Sequence, residues 1–184
     1  MKNRVFHVLY LAAVILLSLA IVGTVAAYMF RVTQTEENNF VPAKVSCTVH
    51  EDTDANMTEK SSITVENTSN ISAYLRLRLV TYWVDTSSGT AQIVSKPSEM
   101  PDFDIAAGWM KGSDDTYYYT SPVSPDGFTG ELLAPGTVIR LAEEDGYLQV
   151  IEVFAEAIQY LPYDAVANNW HVTLNSDGII TSVP

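Results

Sequence analysis

Three histidines, one cysteine and a few clustered acids carry most of the chemistry this chain could offer a reaction. A hydrolytic metal centre needs several histidine or carboxylate ligands at spacings that converge, as H-E-x-x-H does on one face of a helix. His7 lies in the apolar amino-terminal run, and His50 and His171 each stand alone beside a β-like segment. His50-Glu51-Asp52 is the nearest approach to a ligand cluster, and its place after an alternating run reads as a solvated strand end. Asp114-Asp115 and Glu143-Glu144-Asp145 could offer oxygens to Ca²⁺, but neither has the alternate-residue spacing of a dedicated loop, so both read as acidic turns. There is no G-x-S-x-G elbow, no glycine-rich phosphate loop and no nucleophilic cysteine setting. No catalytic residue, metal site or cofactor is assigned on these grounds.

Cys47 is the single cysteine, so no disulfide can form within one chain. It alternates with Val45 and Val49 and reads as a small apolar residue turned inward from a strand, with an intermolecular bridge as the alternative. Trp109 and the run Tyr117-Tyr118-Tyr119 raise a carbohydrate-binding hypothesis, since exposed aromatic rings stack on sugars. On a strand, however, Tyr117 and Tyr119 share one face and Tyr118 takes the other, so at least one face is spent on packing.

The elements that position these residues are strands. Lys44 to His50 alternates around Val45, Cys47 and Val49, and an acidic polar loop is expected from Glu51 to Lys60. Ile63 and Val65 open a second strand, stopped by Asn67-Thr68-Ser69-Asn70. The longest signal is Ser72 to Val84, with Ala73, Leu75, Leu77, Leu79, Thr81 and Trp83 on one face and Tyr74, Arg76, Arg78 and Tyr82 on the other. A loop-rich middle leads to a strand at Trp109 and the tyrosine run, a turn-rich connection from Ser121 to Gly127, and strands over Thr129–Leu133 and Val138–Ala142. Tyr147 to Gln159 is another long strand, with Ile151, Val153, Ala155 and Ala157 on one face. Arg76 and Arg78 are spaced for cross-strand pairing with Glu152 and Glu156. Only Tyr163 to Trp170 reads as helix, and a hairpin of Val172–Leu174 and Ile179–Val183 closes the chain. The expected fold is all-β and mainly antiparallel: a jelly-roll-like sandwich with one short helix, over residues 44–184.

Ahead of it, Lys2 and Arg4 precede an uncharged run from Val5 to Phe30, and Gly23, Thr24, Ala26 and Ala27 follow its most apolar part. That order is a secretory signal over residues 1–27, with cleavage on either side of Ala27 because both Thr24/Ala26 and Val25/Ala27 supply small residues at −3 and −1. A retained membrane helix is the competing reading, and the Gly-Thr-Val-Ala-Ala break argues against it. Membrane contact is then limited to the signal segment before cleavage. Residues 28–43 have no sustained period and read as a mobile leader. Loss of Lys2 and Arg4 with the signal takes the net charge from −12 to −14, which excludes nucleic acid as a partner.

Several segments together resemble the TasA/camelysin family of secreted Gram-positive proteins. They are Gly23-Thr24-Val25-Ala26-Ala27-Tyr28 with Asn39-Phe40, Ile63 to Arg76, and Trp109 with Asp115 to Tyr119. Pro122 and Gly127 continue the pattern, and Ala155-Glu156-Ala157-Ile158-Gln159 with Ala165 and Trp170 completes it. Thr116 stands where the family pattern usually has Gly, and Asp126 separates Pro125 from Gly127. The resemblance implies processing by a SipW-type signal peptidase and secretion to the extracellular matrix or cell surface. It further implies a jelly-roll subunit that assembles into homo-oligomers or fibres of a biofilm matrix. In such assembly the freed leader of one subunit adds as a strand to the next, which assigns self-association to Tyr28, Phe30, Val32, Phe40 and Val41. Two alternatives stand beside this: a camelysin-like surface metalloprotease, which needs His50 or His171 to meet acidic partners in space, and a carbohydrate- or ligand-binding module.

Overall fold

The computed structural model describes residues 42–56, 58–87 and 90–184. The signal segment, Ala26 and Ala27 at its end, and Tyr28, Phe30, Val32, Phe40 and Val41 of the leader lie outside the described residues.

The fold is organised around one strand, β3 (Ala73–Asp85), whose alternating Leu75, Leu77 and Leu79 are all buried. A strand this long with one apolar face needs a partner of equal length, and β9 (Tyr147–Gln159) pairs with it antiparallel from Ala73 opposite Gln159 to Asp85 opposite Tyr147. On the other edge of β3 lie β4 (Gln92–Val94) and β6 (Thr116–Tyr119), and β5 (Trp109–Lys111) continues outward from β6. The two-residue β8 (Glu143–Glu144) pairs with the start of β9 through the Asp145-Gly146 turn. Both turn residues have positive φ, 53° and 85°, which suits a tight two-residue hairpin.

A second sheet, β1 (Cys47–Thr53), β2 (Glu59–Asn67) and β7 (Ile139–Arg140), lies in the order β1-β2-β7. The two sheets enclose the main core, where Ile63, Val65 and Ile139 meet Leu75, Leu77, Leu79, Trp109, Tyr117 and Ile151. This is the antiparallel sandwich-like fold the alternation predicts.

A smaller core sits on the opposite face of the large sheet. Tyr74 and Tyr118 are covered by α1 (Tyr163–Trp170), through Val166 and Trp170, and by the hairpin β10 (Thr173–Leu174) and β11 (Ile180–Ser182). The sequence places Tyr74 on a polar face; it is fully buried, and its hydroxyl donates to the Gly178 carbonyl at 2.6 Å. The last 22 residues, from Tyr163, fold back over that end of β3 and convert a nominally outer position into core.

Three further expectations change. The acidic segment from Glu51 to Lys60 is not a loop: β1 runs on to Thr53 and β2 begins at Glu59. The connection is short because the Asp54 carboxylate accepts the backbone N–H groups of Asn56, Thr58 and Glu59 at 3.2, 2.5 and 2.7 Å. Trp109 and the tyrosines form two strands of a hairpin, and β4 had no marked signal. Thr129 to Leu133 is not a strand: the Thr129 and Leu132 N–H groups donate to the Val65 and Ile63 carbonyls of β2, but side chains take the return bonds. The Ile63 N–H donates to the Glu131 carboxylate, and the Val65 N–H donates to the Thr129 hydroxyl.

Candidate functional site

The residues with catalytic chemistry are dispersed. His50 Nε2 lies 2.8 Å from Glu66 Oε2 on an exposed strand face, and its ring packs on Phe128 at 5.3 Å. His171 ends α1 in the left-handed conformation and is exposed. Among the described residues no three His, Cys, Asp or Glu side chains gather where they could hold a metal ion.

The acidic turns are occupied locally. Asp114 accepts the Thr116 N–H and hydroxyl at 3.2 and 2.9 Å; burial would raise its carboxyl's pKa, but these bonds hold it below the usual value. Asp115 pairs with Lys111 at 2.8 Å, and Glu144 with Lys96 at 2.5 Å. Cys47 is half-buried against the main core, and burial, then the charge of Glu156, pushes its thiol pKa up, away from the reactive thiolate.

The aromatic run is spent on packing. Trp109 and Tyr117 are buried in the main core and Tyr118 in the smaller one, while Tyr119 packs on Trp109 with ring centroids 5.2 Å apart. Of the expected cross-strand pairs, Arg76 meets Glu156, whereas Glu152 accepts from the Tyr82 hydroxyl and Arg78 stands opposite Phe154.

What the strands do bring together is an open flank. β9 pairs with β3 along one edge, but on its other edge only the first residues are covered, by β8. Gln149 sends its N–H to Ala142 on that outer side at 2.8 Å. By the alternation of an antiparallel strand, Ile151, Val153, Ala155 and Ala157 direct their N–H and C=O groups the same way. Among the described residues no strand pairs with this edge from Val150 to Gln159. Opposite it, β1 is the edge strand of the second sheet. Between them lies a groove of about 540 Å³. One wall is mostly apolar, from Leu141, Leu148, Val150, Ile151, Val153 and Phe154 with Tyr82 and Glu152 beside them, and the other carries Glu51, Thr53 and Lys60.

Lys60 enters that groove by a change of register. Asp52 stands opposite Ser62 but Thr53 stands opposite Lys60, so Ser61 is an extra residue in β2. A bulge of one residue reverses which side chains face inward. Ile63 and Val65 point into the core, Ser61 is exposed, and Lys60 turns inward to be 5% exposed. Glu51 shares the parity of Cys47 and Val49, and its Oε2 accepts from Lys60 Nζ at 2.6 Å. Read from the sequence, Lys60 is out of phase with Ile63 and Val65, and nothing in Lys60-Ser61-Ser62 marks the bulge.

A second hollow, of about 380 Å³, lies on the outer face of the large sheet beside Arg76, Arg78, Asp114 and Glu156. It is lined mostly by side chains of β3, β6 and β9, where β3 pairs with β6 and β9. Among the described residues no helix is long and apolar enough to cross a membrane. No family model, curated protein or solved structure matches the chain.

Proposed function

We propose that the chain is a secreted structural subunit of an extracellular matrix or cell surface that self-associates by strand addition. The leader of one copy, through Tyr28, Phe30, Val32, Phe40 and Val41, is taken up along the bare edge of β9 in the next. The observation that carries this reading is that edge: a long strand whose outer edge is paired with no other strand among the described residues from Val150 onward, bordering a mostly apolar groove. Exposed edges of this kind template further strands unless charge, proline or a covering element blunts them. Here no proline interrupts β9, Glu156 lies on the outer face, and Glu152, the one acid of β9 in the groove's lining, accepts from the Tyr82 hydroxyl. Main-chain hydrogen bonds supply affinity in such an addition and alternate apolar side chains supply fit. The segmental resemblance to TasA-like proteins supports the same reading, as does the order of residues 1–27, which suits export and cleavage by a SipW-type signal peptidase. Contact, not turnover, is the task this assigns.

Electron microscopy of the protein beginning at Tyr28 and beginning at Lys44 tests it. Filaments are expected from the longer form alone; filaments from both forms, or from neither, would remove leader-mediated assembly.

A further inference from the structure

Lys60 is a cation that the fold has turned into the groove at some cost. Its side chain is 7% exposed, and the bulge at Ser61 turns it between the sheets at the place in the alternation that Ser61 would otherwise take. An ammonium has three N–H donors, and among the described residues Glu51, whose side chain is 34% exposed, supplies its one acceptor. A desolvated cation with donors to spare, beside an apolar wall and a bare strand edge, is suited to a carboxylate carried on an extended segment.

We infer that Lys60 receives the carboxylate of Glu36 from the leader of a second copy, and so sets the register of the added strand; this rests on the strand-addition reading above. On a strand, Tyr28, Phe30, Val32, Gln34 and Glu36 share one face, whereas Glu37 points the other way. The interval from Tyr28 to Glu36 equals that from Ile151, which lines the groove with Lys60, to Gln159, about 26 Å at 3.3 Å per residue. An antiparallel strand with Glu36 beside Lys60 therefore lays Phe30 and Val32 along the free stretch of β9.

A strand traced back from Pro42 of the same chain would run in the opposite direction. Pro42 is held at the opposite end of the sandwich, where its carbonyl accepts from the Asn70 side chain at 3.0 Å, close to the end of β9 that pairs with Ala73. A segment running from Pro42 back to Glu36 beside Lys60 would carry Phe30 and Val32 past the groove and away from β9.

The test is fluorescence anisotropy of a labelled peptide of residues 28–41 titrated with the 184-residue chain in mild detergent, using wild-type, Glu36→Gln and Glu37→Gln peptides. Glu36→Gln is expected to bind about tenfold more weakly, as loss of a charge-assisted bond implies, and Glu37→Gln to bind as the wild type does. Lys60→Met should lower wild-type binding by a similar factor and be indifferent to Glu36→Gln, and Glu36→Lys peptide should recover binding on Lys60→Glu protein. Should a Lys60 variant fail to fold, the two peptide variants on wild-type protein decide the matter alone. Equal losses from Glu36→Gln and Glu37→Gln, or no loss from either, would overturn the role of Lys60 while leaving strand addition standing. Absence of binding by the wild-type peptide would overturn both.

Discussion

Arg76 and Glu156 stand directly opposite each other on β3 and β9, with Arg76 Nε and Nη2 at 2.9 and 2.5 Å from one carboxylate oxygen. The same guanidinium lies over the Trp170 ring, 4.7 Å from its centroid. The pair thus joins the long ladder to the helix that covers its outer face.

The two halves of this arrangement differ in weight. Glu156 is 61% exposed at its side chain, so its ion pair is screened and contributes little, whereas Arg76 is 21% exposed and its stem and cation pack on an aromatic surface. Glu156→Gln is expected to cost less than about 0.5 kcal/mol and Arg76→Ala about 2 kcal/mol. Urea unfolding of the two variants checks this, and equal losses would contradict it.

Gly146 and Gly178 both have positive φ, 85° and 73°, but their surroundings are unlike. A Cβ at Gly146 would meet nothing within 4 Å, so Gly146→Ala costs only the backbone strain, about 1 kcal/mol. At Gly178 a Cβ would lie 3.0 Å from the rings of Tyr160 and Tyr163, beside the carbonyl that Tyr74 holds. Gly178→Ala is expected to cost at least twice as much, roughly 2–3 kcal/mol, by the same unfolding measurement.

Acid should weaken the β1–β2 hairpin through Asp54. The Glu59 N–H, then the Thr58 hydroxyl and the N–H groups of Asn56 and Thr58, hold its carboxyl below the ordinary value against a smaller effect of desolvation. A carboxyl whose folded pKa is depressed contributes stability that is complete above its unfolded pKa, near 3.9, and is lost as pH falls through the folded value. Asp85 and Asp114 are also held low and add to the background slope. Thermal unfolding of Asp54→Ala between pH 2 and 6 should therefore show a shallower loss of stability below about pH 4 than the wild type shows. Parallel curves would refute the assignment.

The sandwich was legible because β3 and β9 bury alternate residues along their length, and Leu75, Leu77, Leu79 and Ile151 leave no other periodicity to fit. The closing helix was legible for the complementary reason that Tyr163 to Trp170 lacks any alternation of two. The candidate site was not. Its apolar wall is ordinary strand, its cation is aimed by a bulge that two serines do not announce, and Glu51 looks like one more acid in a polar run. Nor could Thr129 to Leu133 be read, because it has the composition of a strand and donates to β2 as one, while the Glu131 carboxylate and the Thr129 hydroxyl stand in for the carbonyls of a full ladder.

β3 is a wall shared by two interiors. Leu75 and Leu77 lean into the large core, while Tyr74, between sheet and helix, leans into the small one. Side chains adjacent in sequence therefore report on separate cooperative regions: truncating Leu75 loosens the pair of sheets, and truncating Tyr74 loosens the clasp of helix and closing hairpin. A probe moved by a single residue along this strand changes which half of the molecule it hears.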